Sequence, residues 1–558
     1  MARKKFACDF ETTTDVNDCR VWGYGIRQLY NKEYTVVGND MNKFMFWLTG
    51  VQSDVYFHNL KFDGSFIVNW LLKNGWEFST EGLPGTFNVL ISSMGQWYSI
   101  DIVMGYRGKK KLHTVVYDSL KKLPFPIKTI ANAFNLEVKK GDIDYHKYRP
   151  PGHEIDSEER EYIENDVEIL AQALEIQFDQ GLTRMTTGSD AMGSYKEMLT
   201  KKIFDKYYPT VPLEMDMNIR KAYRGGFTWL NKRYAGKIIN GGIVLDINSM
   251  YPATMMNREL PIGMPKFFEG KYKKDDTHPL YIQRIRCSFE LKPDHVPTIQ
   301  IKNNPLFKST EYLESSKGEI VELYVTNIDL DLMKAHYNLY EVEYMDGFKF
   351  KKSTGMFKDY IEKWTEVKVN NDGAIRLLAK LMLNSLYGKF ASNPDVTGKV
   401  PYLKEDGSNG FKTGEEEFKD PVYTPMGIFI TSWCRHQIIS TAQSCYDRII
   451  YCDTDSVHLV GNEIPEHMEP YIHPKELGKW DHEGTYVRGK YIRQKTYVHE
   501  YEKDEGVKLK VTCAGMPDSV KKQVTFDSFD KGFSAPGKLI PKQVDGGVVL
   551  VDTDYTLK

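Results

Sequence analysis

Acidic side chains interrupt apolar, strand-like segments in two distant regions of the sequence. Asp9 and Glu11 lie two apart in the first region, and Asp246, Asp453 and Asp455 stand at the ends of apolar segments in the second. Residues two apart on a strand share one face. Carboxylates at that spacing are costly to bury without a counter-charge, so a cation or water must lie near them. The fold must therefore bring acidic strand positions together where a cation can reach them.

The chain has 558 residues, too many for one hydrophobic core, so we expect two or more domains. Short apolar strands alternate with helical stretches in its first third, which is typical of an α/β domain. We predict strands at 4–10, 55–57 and 115–117 and helices at 43–48 and 157–178. The sequence from Ser157 is interpreted as a capping box, and the polar stretch 186–190 as a domain boundary.

The rest of the chain combines strands with long helices. We predict a strand at 242–246, a Pro- and Lys-rich region at 261–355, helices at 372–390 and 428–446, and strands at 449–451 and 457–460. The acidic segment 394–425 is interpreted as an exposed, hairpin-like insertion, with a disordered loop as the alternative.

Composition excludes few classes of protein. The formal net charge of −2 does not by itself indicate a nucleic-acid partner, although acidic sites can offset basic grooves. The seven cysteines include no CxxC pair, so we expect free thiols in a reducing compartment rather than a zinc site. The first residues lack the apolar core of a signal peptide, and no apolar run is long enough to span a bilayer. We therefore expect a cytoplasmic protein without a membrane partner.

We expect a first carboxylate cluster from Asp9, Glu11, Asp63 and Asp166. Asp63 closes the segment HNLKFD after a predicted strand, and Asp166 lies four residues after Tyr162 on one face of a predicted helix. Hard oxygen ligands at this density suit Mg²⁺ or Mn²⁺, and Tyr162 could hold a water. The alternatives are solvated acids and a surface hydrogen bond between Tyr162 and Asp166.

We expect a second carboxylate cluster from Asp246, Asp453 and Asp455. Asp246 and Asp455 stand at strand ends, which can meet across a sheet. Two acids and the phosphates of a nucleotide would complete a Mg²⁺ cage. The alternative is that the acids at 453 and 455 merely favour a turn.

The helix predicted between these acids carries a polar stripe. Lys380, Asn384 and Tyr387 share one of its faces, which could also be plain solvent exposure. Lys380 would supply a point charge to a triphosphate, and Tyr387 a flat surface for a base. Lys368 and Arg376 lie upstream and could reach the same phosphates.

The ordered patterns DxE, NxxxD and YxxxD resemble the three exonuclease motifs of DnaQ-like proofreading nucleases. The resemblance implies a 3′→5′ exonuclease with two metal ions, in which Tyr162 orients the attacking water. It gives Lys140 a supporting role at this site. His58, Asn59 and Phe62 match contacts to the single-stranded 3′ end.

Three further segments resemble, in order, the signature of family B DNA polymerases: DINSMYP from Asp246, KLMLNSLYG from Lys380 and YCDTDS from Tyr451. CDFETTT, FHNLKFDG, YRGGFTWLN and RQKTY narrow the resemblance to the protein-primed subgroup of small phages, the phi-twenty-nine type. It covers nearly the whole chain. It implies an α/β and α+β multidomain protein, with a DnaQ-like (RNase H-like) 3′→5′ exonuclease domain followed by a right-hand polymerase of palm, fingers and thumb with two insertions.

The resemblance also implies roles at the polymerase site. Asp246 and Asp455 would hold two Mg²⁺ or Mn²⁺ ions, as the first cluster would, and Asp453 would tune the site. Tyr251 and Tyr387 would border the nucleotide pocket, with Tyr251 as the gate against a ribose 2′-hydroxyl. DNA contacts are implied for a linker (Tyr223, Arg224, Gly225 and Gly226), for template-binding residues (Thr431 and Arg435) and for a primer-binding KxY motif (Lys495 and Tyr497).

The implied domains are the exonuclease (1–186), the first palm segment (187–257), insertion 1 in the terminal-protein region (258–355), fingers (356–390), insertion 2 (391–424), the second palm segment (425–513) and thumb (514–558). The implied partners are primer–template DNA, deoxynucleoside triphosphates, a terminal protein as primer and a single-stranded DNA-binding protein. Processive, strand-displacing synthesis by a monomer in the cytoplasm of an infected bacterial host is implied as well. The sequence departs from the family's pattern in a shorter segment 501–513 and in Cys434 and His436.

Two other functions stay open at this point. A stand-alone nuclease with an inert C-terminal module would lack the second carboxylate cluster and Lys380. A DNA-binding replication scaffold would need no metal cage and would more typically carry a basic net charge.

Overall fold

The computed structural model describes residues 3–503 and 506–558. Its N-terminal module contains the strands β1 (Lys5–Thr12), β2 (Val21–Gln28), β3 (Thr35–Gly38), β4 (Asp54–Phe57), β5 (Glu77–Phe78), β6 (Thr86–Ile91), β7 (Trp97–Arg107) and β8 (Lys110–Asp118). Its helices are α1 (Met41–Leu48), α2 (Leu60–Lys73), α3 (Ile127–Ala133) and α4 (Ser157–Asp179). The strands form one mixed sheet in the order β3-β2-β1-β4-β8-β7-β6-β5. This arrangement confirms the α/β class predicted for the first third.

Side chains of β1 alternate between two packed layers. Phe6 and Phe10 pack into the core that α1 and α2 share. Asp9 and Glu11 lie near α4 on the other face. Gly25 of β2 pairs with Asp9, and a Cβ there would lie 2.8 Å from side chains of α4. Because glycine has no Cβ, α4 can close on the sheet and approach the two acids.

Helix α4 begins where the sequence predicts, but its cap differs. Asp156 is the N-cap, and its carboxylate accepts a hydrogen bond from the Glu159 N–H at 2.9 Å. The Glu159 carboxylate accepts in return from the Asp156 N–H at 3.3 Å. The capping box predicted from Ser157 is therefore wrong by one residue. Asp and Ser cap helices about equally well, so adjacent candidates cannot be ranked by residue type.

The polar stretch 186–190 begins a helix rather than forming a free linker. Thr186 caps α5 (Thr187–Met198), and its hydroxyl accepts from the Ser189 N–H. Asp190 in the first turn forms an ion pair of 2.6 Å with Lys122 of the N-terminal module. Both of these side chains are only 2% exposed. This buried pair fixes the N-terminal module to the helix that follows it.

The remaining helices are α6 (Lys201–Tyr207), α7 (Leu213–Arg220), α8 (Met250–Asn257), α9 (Asn327–His336), α10 (Lys358–Asn370), α11 (Gly373–Phe390), α12 (Thr424–Ser444) and α13 (Asp518–Lys521). The remaining strands are β9 (Thr228–Leu230), β10 (Ile238–Ile247), β11 (Leu260–Glu269), β12 (Leu280–Leu291), β13 (Val321–Thr326), β14 (Tyr337–Ser353), β15 (Lys399–Leu403), β16 (Asn409–Thr413), β17 (Ile449–Asp453), β18 (Ser456–Val460), β19 (Trp480–Arg493), β20 (Thr496–Lys503), β21 (Gly506–Cys513), β22 (Ser534–Val544) and β23 (Gly547–Thr556).

These strands form a central sheet, an inserted sheet and two hairpins. The central sheet has the order β21-β20-β19-β10-β18-β17-β9, and the inserted sheet the order β11-β14-β12-β13. The hairpins are β15–β16 and β22–β23. Helix α12 packs against β17 and β18 of the central sheet and against α11. The chain beyond its N-terminal module is thus α+β.

Most elements predicted beyond the first third are confirmed. The helix predicted at 372–390 is α11, and the helix predicted at 428–446 coincides with most of α12. The acidic segment contains the hairpin β15–β16, so the predicted hairpin is confirmed and the disordered loop is wrong. The segment 501–513 belongs to the hairpin β20–β21, whose residues 504–505 lie outside the described ranges. None of the described helices combines the length and apolarity needed to cross a membrane.

The hairpins β15–β16 and β22–β23 both contact α2 of the N-terminal module. Asn409 of β16 donates to the Ser65 carbonyl at 2.8 Å, and Asn69 of α2 donates to the Asn409 side chain at 3.1 Å. Gln543 of β22 donates to the Ser65 hydroxyl at 3.2 Å. Val548 of β23 is buried in the apolar core of the N-terminal module. The last strands of the chain therefore complete the packing of its first helices.

The ion pair between Lys122 and Asp190 gives a test of how the modules are joined. We expect Lys122→Met to lower the free energy of unfolding by ~3–5 kcal/mol, because it leaves Asp190 buried without a counter-charge. Urea unfolding followed by circular dichroism measures the loss. Lys32, 73% exposed and 3.7 Å from Glu168, is the control, and Lys32→Met should cost less than ~1 kcal/mol. Equal stability of the two variants would contradict the structural role of the buried pair.

Candidate active sites

The first carboxylate cluster forms where β1, α2 and α4 meet. Oxygens of Asp9, Glu11 and Asp166 lie within 4.8 Å of one another. Asp63 lies in the first turn of α2, where the charge of Asp9 acts on it. The Lys140 ammonium forms an ion pair with Asp166. The structure therefore brings these five predicted residues together from four separate segments.

Burial dominates the electrostatics of this cluster. Burial and repulsion from Asp166 raise the pKa of Asp9 to about 7, while Lys140 opposes that shift. Burial and the charge of Asp9 raise the pKa of both Glu11 and Asp63. Asp63 and Asp166 each have one buried carboxylate oxygen without a hydrogen-bond partner among the described residues. These orphaned oxygens fit a divalent cation, because carboxylates are the preferred ligands of Mg²⁺ and Mn²⁺.

Tyr162 lies beside the acids, and a second tyrosine accompanies it. The hydroxyls of Tyr145 and Tyr162 are 2.7 Å apart. Tyr162 is buried, and burial and the charge of Glu11 raise its pKa, so its hydroxyl stays protonated and can donate. Sequence reasoning missed Tyr145, because it lies in an irregular loop where no periodicity gives a side chain a direction. Its position five residues after Lys140, in KKGDIDY, is a weak signal.

The turn between β4 and α2 carries the residues predicted to contact the single-stranded 3′ end of DNA. Asn59 is exposed and has a left-handed backbone with φ of 70°, and Phe62 is half-buried. The buried Asp118 carboxylate accepts hydrogen bonds of 3.0 and 3.2 Å from two backbone N–H groups of this turn. Both ring nitrogens of His58 bind protein atoms, one of them the Ser119 hydroxyl at 2.9 Å. Asn59 and Phe62 are accessible to a ligand, whereas His58 holds the turn in place.

The second carboxylate cluster lies at adjacent strand ends of the central sheet. Asp246 pairs with Ser456 between β10 and β18, and the Ile247 N–H donates to the Asp455 carbonyl at 2.9 Å. Burial and the charge of Asp455 raise the pKa of Asp246 to about 8. Burial and the charge of Asp453 raise the pKa of Asp455. The structure therefore places Asp246 and Asp455 as neighbours across the sheet.

A cavity of about 380 Å³ opens beside these acids. It is lined by Asp246, Ile247, Asn248, Ser249, Met250, Tyr251, Lys368, Lys380, Asn384, Tyr387 and Asp455. The lining therefore includes the polar stripe of α11 and all of the residues predicted to bind a nucleotide except Arg376. Arg376 is exposed nearby and donates to the Lys368 carbonyl at 2.8 Å.

Charge and ring stacking suit this cavity to an anionic, planar ligand. The rings of Tyr251 and Tyr387 stack with centroids 4.2 Å apart and an interplanar angle of 23°. Burial and the positive charges of Arg376 and Lys380 lower the pKa of Lys368. A bound anion such as a phosphate would reduce the repulsion between these positive charges.

Asp453, in the same turn as Asp455, is engaged by protein groups. Lys495 Nζ lies 2.6 Å from its Oδ1, and the Tyr451 hydroxyl donates to its Oδ2 at 3.0 Å. The backbone N–H of Lys495 donates to that hydroxyl at 2.9 Å. Tyr497 packs on Tyr451 with centroids 5.4 Å apart. This arrangement favours the tuning role predicted for Asp453 over cation binding.

Thr431 and Arg435 are predicted to contact a template, but the structure buries both. Thr431 is 1% exposed, and its hydroxyl donates to carbonyls within α12. Arg435 is 2% exposed and pairs with Asp329 at 2.7 Å. It also donates to the carbonyls of Arg224 and Gly225 at 2.8 and 2.9 Å. In this conformation neither side chain reaches a DNA-accessible surface, and Arg435 fixes the backbone of the linker instead.

The linker of residues 223–226 passes beside the turn that carries Asp455. A Cβ on Gly226 would lie 2.9 Å from the Thr454 side chain, so glycine is required for this close approach. Tyr223 is half-buried and packs against the main apolar core. Gly225 is exposed. The linker is therefore held close to the second cluster and remains open to solvent on one side.

A sequence model of the family described as DNA polymerase type B, organellar and viral, matches residues 47–474. The chain belongs to this family. It is 61% identical to the DNA polymerase of Bacillus phage Nf and 59% identical to that of Bacillus phage phi29, over 100% of each chain. The solved structure of Phi29 DNA polymerase with primer-template DNA and incoming nucleotide substrates superposes with a TM-score of 0.97, at 58% identity and 100% coverage of both chains.

These likenesses confirm the family and the fold class predicted from the motifs. The chain is a type B DNA polymerase of the phi29 type, with a mixed sheet in its N-terminal module and antiparallel sheets beyond it. Within this polymerase, the two carboxylate clusters lie on different sheets, the first on the N-terminal sheet and the second on the central sheet. Two separate chemical sites are therefore available in one chain.

The raised pKa values of Asp9 and Asp246 give the cation-free polymerase a defined pH dependence. A raised folded-state pKa contributes stability that is fully present below about pH 4, the unfolded value. That stability is lost as the pH rises through about 7 for Asp9 and about 8 for Asp246. If these acids are ligands of Mg²⁺, the ion binds their ionised form, so we expect it to raise the unfolding temperature more at about pH 8.5 than at about pH 6. Calorimetry with Mg²⁺ or with a chelator measures the difference.

The matched control for this experiment replaces both acids, as Asp9→Asn with Asp246→Asn. This double variant removes the two titrating groups and should reduce the pH dependence of the Mg²⁺ effect. Equal stabilisation of the wild-type protein by Mg²⁺ at both pH values would contradict the assignment of these acids as cation ligands.

Proposed function

We propose that the second carboxylate cluster and its cavity form the site that extends a DNA primer. The observation that carries this proposal is the cavity itself, where two carboxylates, two lysines and a stacked tyrosine pair converge. The Phi29 relative has been described with primer-template DNA and incoming nucleotide substrates. Primer-template DNA and deoxynucleoside triphosphates are accordingly the ligands proposed here.

Asp246 and Asp455 would hold two divalent cations, with triphosphate oxygens completing the coordination. Type B polymerases generally use divalent metals, and we propose Mg²⁺, with Mn²⁺ able to replace it. When bound, these ions lower the pKa of the primer hydroxyl and neutralise the leaving pyrophosphate. Lys380 and Lys368 would bind the same phosphates as point charges, and Arg376 would reach them from the rim of the cavity.

The aromatic residues would define the shape of the nucleotide. Tyr387 would lie against the nascent base pair, and Tyr251 would fill the space that a ribose 2′-hydroxyl needs. The Tyr251 ring is already stacked on Tyr387, so its position is fixed before a ligand binds. Lys495 and Tyr497 would hold the primer terminus, because they lie beside the turn that carries the acids. Such preorganisation favours the correctly shaped substrate.

The first carboxylate cluster is proposed as a 3′→5′ proofreading exonuclease. Asp9, Glu11, Asp63 and Asp166 would hold two divalent cations, and the orphaned buried oxygens support that proposal. When bound, the cations stabilise the attacking and leaving oxygens of a phosphodiester. Tyr162 would orient the attacking water.

Other residues would hold the strand at this exonuclease site. Lys140 would stabilise the charge that develops on the phosphate, in addition to its ion pair with Asp166. Asn59 and Phe62 would contact the single-stranded 3′ end.

The remaining features of the family are proposed for the whole chain. They are protein priming on a terminal protein, processive and strand-displacing synthesis, the division into seven segments given above, and action in the cytoplasm of an infected bacterium. The relatives named above are phage polymerases, which supports the viral setting. A single-stranded DNA-binding protein is proposed as a further partner.

The two alternative functions fit the structure less well. A stand-alone nuclease does not account for the cavity beside Asp246 and Asp455. A DNA-binding scaffold does not account for buried acids whose oxygens have no protein partner within the described ranges. Family membership also favours an enzyme over both alternatives.

Asp455→Ala tests the polymerase site. Loss of a cation ligand removes several kcal/mol of charge stabilisation, so we expect nucleotide incorporation to fall at least ~1,000-fold. Primer extension on a primed template with Mg²⁺ measures the rate. Asp447→Ala changes an exposed acid a few residues away and should extend primers at the wild-type rate. Unchanged incorporation by Asp455→Ala would refute the assignment.

Asp9→Ala combined with Glu11→Ala tests the exonuclease site. We expect this variant to lose degradation of single-stranded 3′ ends while primer extension stays largely intact, because the two clusters lie on different sheets. End-labelled oligonucleotides resolved by electrophoresis measure the degradation. Glu33→Ala, a change of an exposed acid in the same module, is the control. Degradation at the wild-type rate in the double variant would exclude this cluster as the nuclease.

A further inference from the structure

An irregular loop borders the first carboxylate cluster. In the described chain, residues 135–155 between α3 and α4 form neither helix nor strand. The loop carries Lys140, which pairs with Asp166, and Tyr145, which is hydrogen-bonded to Tyr162. No backbone ladder fixes this loop, so its shape depends on side chains that tie it to the rest of the module.

The side chain of Arg149 makes several hydrogen bonds to this loop. Its side chain is only 2% exposed. The Nη1 group donates to the carbonyls of Asp144 and Lys147 at 3.0 and 3.1 Å. These two carbonyls stand on either side of Tyr145 in the sequence. A guanidinium bonded to both ends of this short turn therefore sets the direction in which Tyr145 points.

The guanidinium is itself held by two regular elements. Its Nε donates to Glu159 of α4 at 2.8 Å, and its Cζ lies 4.1 Å from the ring centroid of Trp22 on β2. His153 binds the second oxygen of Glu159 at 2.6 Å. Burial opposes ionisation of Glu159, but hydrogen bonds from His153 and Arg149 lower its pKa to about 2. The pair is thus a charge-assisted hydrogen bond, which is short and directional.

We propose that Arg149 is a positioning residue of the exonuclease site, which holds the Tyr145 hydroxyl against Tyr162 beside the metal-binding acids. This inference rests on the exonuclease function proposed above. Tyr145 then supplies a second hydroxyl that orients the attacking water or binds a phosphate oxygen. Arg149 does this from behind the turn, without touching the reacting atoms.

The geometry requires an arginine at this position. One planar guanidinium reaches a carboxylate and two carbonyls at once and stacks on an indole ring, which a lysine ammonium cannot do. A neutral side chain of similar length loses these contacts.

Arg27 provides a matched control for the loss of a buried arginine. It lies on β2, its side chain is 4% exposed, and its Nε donates to Glu168 of α4 at 2.6 Å. Its other hydrogen bonds, to Gln28 and Glu175, also stay within β2 and α4. Arg27→Met therefore removes the closest partner of an acid on the same helix, at a similar cost in stability, but does not release the loop.

The first test measures exonuclease kinetics on a single-stranded oligonucleotide for the wild-type protein, Arg149→Met, Tyr145→Phe, their double variant and Arg27→Met. We expect Arg149→Met to lower kcat by ~10- to 100-fold, the effect of displacing a group by about 1 Å. The double variant should lose no more than the stronger single variant, because both changes act through one hydroxyl. Primer extension should stay at the wild-type rate throughout. Losses that multiply in the double variant, or an equal loss in Arg27→Met, would overturn the proposal.

The second test is independent of activity. Hydrogen exchange of the amides of residues 143–148 should accelerate in Arg149→Met and stay unchanged in Arg27→Met, and unchanged exchange in Arg149→Met would also overturn the proposal. Asp9→Ala with Glu11→Ala, measured in parallel, removes metal-binding acids but leaves the ion pair between Lys140 of the loop and Asp166 in place. If this variant degraded DNA normally, the proposed exonuclease function would fail, while the exchange experiment would still decide whether Arg149 holds the loop.

Discussion

Burial of neighbouring carboxylates, to which their mutual repulsion adds, is the constraint on which both sites depend. Asp9 and Asp246 hold a proton near neutral pH because their surroundings disfavour the charged form. Such groups make the cation-free protein less stable, and the large apolar cores of the two sheets offset that cost. A divalent cation bound at the proposed sites would relieve this repulsion, so its binding would be energetically coupled to folding.

Local partners decide what each acid can do, even for two acids in one turn. Asp453 and Asp455 are separated by a single residue, yet Lys495 and Tyr451 neutralise and orient the first. Asp455 instead faces Asp246 across the strand ends. The chemical difference between the two therefore comes from their neighbours. Asp453 contacts Tyr451 on its own strand and Lys495 between β19 and β20, whereas Asp455 lies beside Asp246 at the end of β10. The same principle applies to Arg435. Because its guanidinium donates to backbone carbonyls of the linker, it stabilises the linker instead of binding a ligand.

The sequence predicts those features of the structure that follow a period. Alternation on β1 predicts that Asp9 and Glu11 share a face, and the helical period predicts the polar stripe of α11 that lines the cavity. The burial of Arg435 could not be predicted in this way, because α12 is buried almost all round and its pattern marks no solvent face. Tyr145 could not be predicted either, since an irregular loop is shaped by distant contacts such as those of Arg149. Motif order supplied the family, whereas tertiary packing decides which matched side chains are accessible.

The docking of the last hairpin on α2 has a consequence for how the chain is made. Val548 is 1% exposed within the apolar core that also contains Phe66. During synthesis the ribosome produces α2 long before it produces β23. Part of the apolar surface of the N-terminal module therefore stays exposed to water until β22 and β23 have been synthesised. The first portion of the polypeptide to appear is in this sense among the last to be finished. Chains that terminate early would expose this apolar surface, which would make them prone to aggregation and readily recognised by chaperones and proteases.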